Sequence, residues 1–226
     1  MKQYGWNTRS LLLLLCMTAG FTDTYFYIKE KVFPANMTGN TVELAIAIGK
    51  HNWADSAAPA VALLGFIIGT VIGAFILDKE KAGAAEQLVI RHVLYSEIII
   101  LFALQLIIDI EAVPHKLILV LLPSIAMGLQ GVAVSHLGVK GISTITLTNT
   151  ITATFNNLVY KEMAERRKQP EATFRIALLV WAWSSFVAGA AIAILFVYIG
   201  VDRIFFVPLL LLAICVIFNR YLKQTA

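Results

Sequence analysis

Charged residues are scarce in this sequence: Asp, Glu, Lys and Arg make up 14% of the 226 residues, against about 25% in soluble domains. Hydrophobic residues make up 59%, where soluble domains have roughly 45–50%. A soluble fold of this length has too small a core to bury so much apolar surface. The composition therefore argues against soluble protein classes and predicts an integral membrane protein.

Cysteine and histidine are also scarce, with two and four residues. The cysteines lie in apolar runs near opposite ends of the chain, so they indicate neither a disulfide framework nor a metal pair. The sequence contains no His-Glu-x-x-His, Gly-x-Ser-x-Gly, Gly-Lys-Ser/Thr phosphate loop or Cys-x-x-Cys motif. We therefore expect no enzyme activity, no cofactor and no metal. The excess of 18 basic over 14 acidic residues lies mostly between apolar runs and indicates topology, not a nucleic-acid partner.

Long apolar runs recur along the chain. The hydrocarbon core of a bilayer is about 30 Å thick, so a crossing helix needs about 20 largely apolar residues. Six runs are read as spans, namely 10–28, 59–77, 92–110, 117–135, 174–200 and 204–218. The first follows basic residues as a secretory signal does, but it continues without an Ala-x-Ala site, so we expect a retained helix.

Two further segments, 32–49 and 142–158, are too short and too polar to be ordinary spans. Each opens with an extended stretch rich in Thr and Asn and then becomes helical. In the first the helix is predicted over 41–49, and in the second it is predicted to begin near Thr148 or Asn149. Both are interpreted as broken or re-entrant half-helices.

The two halves of the chain share one arrangement, in which a half-helix follows the first of three spans. Repeat 1 covers about 10–110 and repeat 2 about 117–222, within a single membrane domain of 1–226. Thr38 and Thr148 occupy equivalent places. Such repeats are common in secondary transporters, whose sites form where discontinuous helices meet near the midplane. The predicted fold is an all-α integral membrane protein with six transmembrane helices and two half-helices in two inverted repeats.

The distribution of Lys and Arg predicts the orientation, because cytoplasmic loops carry the excess of both. If each half-helix enters and leaves on one side, the repeats are inverted and 13 of the 18 basic residues lie inside. The five outside are then Lys29, Lys31, Lys50, Lys116 and Arg203. If the half-helices cross fully, the split falls to 11 against 7. We expect the inverted arrangement in a cell inner membrane, with both termini cytoplasmic, and the sequence leaves full crossing open.

Three segments resemble the bacterial YoaK family of membrane proteins. They are Gly-Phe-Thr-Asp at 20–23, Val-Phe-Pro-Ala-Asn-Met-Thr-Gly-Asn at 32–40 and Met-Gly-Leu-Gln at 127–130. The most specific part is Asn-Met-Thr-Gly-Asn following a span that contains an Asp. The resemblance covers essentially the whole chain and implies the architecture without implying an activity. Where exact repetition would place a second Thr-Gly, the chain has Thr148-Asn149.

Ionisable residues inside a span are costly and mark functional positions. Asp23 lies about two-thirds along the first span and Glu97 lies inside the third, so we predict that both couple protons or ions. The alternatives are an Asp that caps the neighbouring half-helix and a buried carboxyl group bonded to another helix. Gln130 occupies in the fourth span roughly the place of Asp23, where it either lines the same cavity or joins helices.

The starts of the two half-helices are predicted to face one central substrate site, because a helix start leaves N–H groups unpaired and attracts anionic groups. The predicted substrate-binding residues are Thr38, Gly39, Asn40, Gln130, Thr148, Asn149 and Thr150. The predicted function is a small secondary transporter or channel for a small anionic or zwitterionic metabolite, moved with a proton. The alternative is a non-transporting membrane scaffold or lipid-interacting protein.

The expected partners are the lipid bilayer and a small-molecule substrate, and association into a homo-oligomer is left open. Gly65, Gly69 and Gly73 recur at every fourth residue of the second span. Small residues at this spacing let two helix backbones approach closely. We therefore expect this glycine face to be buried against another helix.

Overall fold

Helices account for nearly all of the described chain. The computed structural model describes residues 6–81, 86–109, 116–137, 151–152, 154–156, 159, 171–200 and 205–221. Within these ranges the longer helices are α1 Trp6–Glu30, α2 Met37–Gly49, α3 Trp53–Lys81, α4 Glu86–Asp109, α5 Lys116–His136, α6 Glu171–Tyr198 and α7 Phe206–Tyr221. Residues 151–152, 154–156 and 159 are helical as well, and no described residue lies in a strand.

Five helices, α1, α3, α4, α5 and α6, are long and apolar enough to cross a membrane. They correspond to the first five predicted spans. The sequence predicts a sixth span at 204–218, where α7 has 16 residues. At 1.5 Å per residue such a helix is about 24 Å long, which is shorter than the hydrocarbon core. Within the described residues the protein is therefore all-helical, with five long apolar helices and the shorter apolar helix α7.

The half-helix α2 begins four residues before the position that the sequence predicts. The sequence predicts a helix over 41–49, whereas α2 begins at Met37 and ends, as predicted, at Gly49. The reason is the side chain of Asn36, which caps the helix by accepting a hydrogen bond of 3.3 Å from the N–H of Gly39. With 13 residues, α2 is about 20 Å long and too short to cross a bilayer.

The helices α1 and α6 pack closely along each other. Each helix places a glycine against the backbone of the other. A Cβ atom on Gly20 would overlap the carbonyl oxygen of Phe186, and a Cβ atom on Gly189 would overlap that of Met17. The close approach of the two backbones therefore depends on both glycines.

The helices α3 and α5 form a second pair of the same kind. A Cβ atom on Gly69 would overlap the carbonyl oxygen of Ile125, and one on Gly128 would overlap that of Phe66. The glycines one turn before and one turn after Gly69 also face α5. The prediction that the glycine face of the second span is buried against another helix is confirmed.

The centre of the molecule is formed by α1 and α5. In their most apolar windows 61% and 56% of the residues are buried, against 28% in both α3 and α6. The helix α4 packs on α5, α7 packs on α1, and α4 and α7 meet each other. The half-helix α2 packs mainly on α3.

Candidate functional site

The carboxylate of Asp23 holds the segment that returns from α1 to α2. Asp23 is 3% exposed, and its Oδ1 atom accepts a hydrogen bond of 2.6 Å from the backbone N–H of Ala35. The backbone N–H of Asn36 also interacts with this carboxylate. Asp23 lies seven residues before the end of α1, so the segment 31–36 folds back by about 10 Å. The half-helix therefore starts near the depth of Asp23.

The side chain of Asn40 fastens the same segment from the other side. Asn40 is fully buried; its Oδ1 accepts from the N–H of Phe33 at 2.9 Å, and its Nδ2 donates to the carbonyl oxygen of Phe33 at 2.7 Å. An apolar surrounding makes an unpaired backbone group costly. The amide of Asn40 thus supplies the partners that Phe33, which lies outside the helices, would otherwise lack.

The two hydrogen bonds between Asn40 and Phe33 form a bracket, and an aromatic stack lies beside it. The rings of Phe33 and Tyr27 stack at 4.5 Å with an angle of 15°, and the ammonium of Lys31 lies 5.3 Å from the centre of the Tyr27 ring. A Cβ atom on Gly39 would come within 2.9 Å of the Phe33 ring. Gly39 is therefore needed for the position of Phe33, which gives it a packing role in addition to its predicted place in a substrate site.

The predicted substrate residues of the first half-helix differ in what their side chains offer. Thr38 is exposed, whereas Asn40 uses both polar ends on Phe33. Their substrate-binding role stays a prediction, with the Thr38 hydroxyl as the accessible group. The matching residues Thr148, Asn149 and Thr150 lie outside the described residues, and so does the cavity that both half-helices are predicted to share.

Gln130 joins the two central helices. It is fully buried, and its Nε2 donates a hydrogen bond of 3.1 Å from α5 to the carbonyl oxygen of Leu15 in α1. Its Oε1 has no hydrogen-bond partner in the described part of the chain. Gln130 therefore joins two helices, which is one of its two predicted roles. Its Oε1 atom is still available as an acceptor for a second partner.

Glu97 is the most isolated polar side chain of the described chain. It is fully buried, and neither carboxylate oxygen has a hydrogen-bond partner among the described residues. It follows Ile90 and Leu94, both buried, on one face of α4. It is close enough to Cys215 of α7 for the two groups to interact electrostatically. The alternative that the carboxyl group of Glu97 is hydrogen-bonded to a neighbouring helix is not seen among the described residues.

The charged ends of several helices line one pocket with a volume of about 520 Å³. Its charged lining consists of Glu30, Lys31, Glu43, Lys50, Asp55 and Lys116. These residues belong to the end of α1, to α2 and its end, and to the starts of α3 and α5. The end of α1 and the start of α3 therefore lie at the same face of the molecule.

Comparison with known proteins agrees with this architecture. The family described as "Protein of unknown function (DUF1275)" matches residues 11–218. The UPF0700 transmembrane protein YoaK of Bacillus subtilis (strain 168) is 35% identical over 161 residues, which cover 71% of each chain. The chain belongs to this family. The family resemblance noted in the sequence is thereby confirmed, and no solved structure matches the chain.

In this YoaK-family chain, sequence reasoning located Asp23, Glu97 and Gln130 as buried polar residues of the spans, and all three are buried. The alternative of an Asp23 that caps the neighbouring half-helix agrees with its contact to the Ala35 N–H, one residue before the Asn36 cap. Sequence reasoning missed the pairing of Asn40 with Phe33. It also missed the charged pocket, whose lining comes from four separate places in the chain. In the described ranges no group of three His, Cys, Asp or Glu side chains could hold a metal ion.

Proposed function

We propose that this YoaK-family protein is a small secondary transporter or channel that moves a small anionic or zwitterionic metabolite together with a proton. The observation that carries this proposal is Glu97, a fully buried carboxyl group without a hydrogen-bond partner among the described residues. A charged residue at the centre of a spanning helix costs about 3 kcal/mol on insertion scales, and such residues mark proton and substrate paths. Glu97 is assigned the coupling proton.

A correspondence between the two halves of the chain supports the proposal, because two equivalent halves around one site are a common transporter design. The equivalent positions are Gly69/Gly189 and Phe66/Phe186, which are 120 residues apart, and Gly20/Gly128 and Met17/Ile125, which are 108 residues apart. These two shifts convert the contact of Gly69 with Ile125 into that of Gly189 with Met17, and the contact of Gly128 with Phe66 into that of Gly20 with Phe186. The similar burial within α1 and α5, and within α3 and α6, follows the same correspondence.

The charged pocket supports a re-entrant first half-helix. Lys31, Lys50 and Lys116 line the same pocket. A half-helix that leaves and returns at one face keeps these three lysines together outside, whereas a fully crossing one separates Lys31 from the other two. The inverted orientation, with cytoplasmic termini in an inner membrane, is therefore part of the proposal.

A Glu97→Gln variant tests the coupling role. Glutamine keeps the size of the side chain and its hydrogen-bonding groups but cannot release a proton, so we expect proton-coupled uptake to fall at least tenfold. The measurement uses proteoliposomes that contain pyranine, with a potassium–valinomycin potential and a panel of amino acids and dicarboxylates added outside. Asp78→Asn is the matched control, because Asp78 is an exposed acid near the end of α3.

Two results would count against the proposal. If the wild-type protein moves neither protons nor any solute of the panel, the scaffold or lipid-interacting function is favoured instead. If Glu97→Gln keeps the wild-type proton flux and its pH dependence, the coupling proton is carried by another group. A melting temperature close to that of the wild type shows that the variant is folded in either case.

The proposed orientation gives a labelling prediction of its own. Asp55 and Asp78 are exposed near opposite ends of α3, while the native Cys16 and Cys215 are buried and give little background. We expect a membrane-impermeant maleimide to label Asp55→Cys in intact cells and to label Asp78→Cys only after the inner membrane is opened. The reverse pattern would contradict the inverted orientation.

A further inference from the structure

The pocket at the ends of α1, α3 and α5 carries three positive and three negative side chains. Within the described residues, no ion pair joins any of the six to another. Lys31 has a φ of 59°, a left-handed conformation that glycine usually adopts at a helix end. Its ammonium interacts with the Tyr27 ring. Side chains of both signs therefore line one pocket without forming ion pairs with one another.

Apart from Asn52, whose Nδ2 donates a hydrogen bond of 2.6 Å to Oδ2 of Asp55, the rest of the lining is apolar. Ile46 and Ala47 come from α2, Pro59 comes from α3, and Leu117 and Val120 come from α5. A volume of about 520 Å³ is within the range of small-molecule sites, which is roughly 300–1,000 Å³. The pocket therefore combines an apolar wall with a balanced set of charges, and it suits a ligand that is itself dipolar.

We propose that this pocket binds a zwitterion that carries a primary ammonium and a separate carboxylate or phosphate group. The carboxylates of Glu30, Glu43 and Asp55 accept hydrogen bonds from the ammonium, and the three lysines bind the anionic group. Neither a simple anion nor a simple cation satisfies both sets. This pocket would hold the substrate of the proposed transporter, so it names the substrate class. The transport step that follows binding rests on the proposed function, whereas binding itself does not.

Binding is tested with O-phosphoethanolamine and with its two singly functional halves, ethanolamine and inorganic phosphate. The full-length protein is placed in phosphatidylcholine nanodiscs, and binding is measured by calorimetry at constant ionic strength. We expect the zwitterion to bind at least tenfold more tightly than either half. Lys116→Met and Glu43→Gln should each weaken binding of the zwitterion about tenfold.

Lys29→Met is the matched control, because Lys29 is an exposed lysine in the last turn of α1 that does not line the pocket. It should leave binding unchanged. The proposal is overturned if either half binds as tightly as the zwitterion. It is also overturned if Lys29→Met weakens binding as much as Lys116→Met does, or if the zwitterion does not bind the folded protein.

The same ligand chemistry occurs in free solutes and in the headgroup of phosphatidylethanolamine. Repeating the titration in phosphatidylethanolamine nanodiscs distinguishes the two sources. Unchanged affinity assigns the pocket to a free solute, and competition by the lipid assigns it to the headgroup; both results support the site. We expect the Glu97→Gln variant to bind the zwitterion as the wild type does, because Glu97 does not line the pocket. The binding proposal and the proton-coupling proposal can therefore fail independently.

Discussion

Replacing Gly69 or Gly189 by alanine is expected to lower the melting temperature of the purified protein by roughly 10 °C. The added Cβ atom would overlap a backbone carbonyl oxygen in both cases, and a backbone atom cannot rotate away as a side chain can. The two helices must separate, which costs about 3 kcal/mol and corresponds to a shift of this size in a chain of 226 residues.

The matched control is Gly49→Ala, because a Cβ atom at the end of α2 has no neighbour within 4 Å. Its melting temperature should stay within about 1 °C of the wild type. The double variant of Gly69 and Gly189 should show the sum of both losses, since the two glycines lie in different helix pairs. Equal melting temperatures for Gly49→Ala and Gly189→Ala would contradict the close crossing of α1 and α6.

Replacing Asn40 by leucine is expected to be about as damaging, through a different cause. Leucine fills a similar volume but leaves both the N–H and the carbonyl oxygen of Phe33 without a partner. Each orphaned buried group costs about 1–3 kcal/mol, so the free energy of unfolding should fall by about 2–6 kcal/mol. Asn40→Asp keeps the acceptor for the Phe33 N–H and should lie between leucine and the wild type.

The control for this series is Thr41→Val, one residue further along α2. The Thr41 hydroxyl is exposed and donates only to the carbonyl oxygen of Met37 in its own helix, so its loss should change the melting temperature little. Proteolysis between α1 and α2 should increase in Asn40→Leu alone. If Asn40→Leu is as stable as Thr41→Val, the bracket is not structural and the predicted substrate role of Asn40 gains support.

Much of the fold could be predicted because hydropathy reports directly on contact with lipid. The five long spans, the end of α2 at Gly49 and the buried glycine face of α3 all follow from local patterns. The start of α2 could not be placed in the same way, because it depends on the Asn36 cap and on Asp23, which lies in another helix. The mirrored glycine of α6, Gly189, lies in an alanine-rich run and does not stand out.

The candidate site was predicted less completely. Polar residues inside apolar spans are rare, so Asp23, Glu97 and Gln130 could be found from sequence alone. The atoms that Asp23 and Gln130 contact could not be found in this way. The Ala35 N–H and the Leu15 carbonyl oxygen are backbone atoms, which carry no sequence signal. The bracket between Asn40 and Phe33 joins residues seven positions apart, and only the return of the chain brings them together.

The two glycine crossings also bear on how the molecule can move. They fix α1 to α6 and α3 to α5, so the rigid units each combine helices from both halves of the sequence. The two pairs meet between α1 and α5, while α4 packs on α5, α7 packs on α1, and α4 and α7 meet each other. A motion that preserves both crossings can therefore take place between α1 and α5 and between α4 and α7. Glu97 and Gln130, whose carboxylate and amide oxygens have no partner among the described residues, lie on those two seams. If the units slide past each other or separate, the carboxylate of Glu97 and the amide oxygen of Gln130 would therefore become exposed to water.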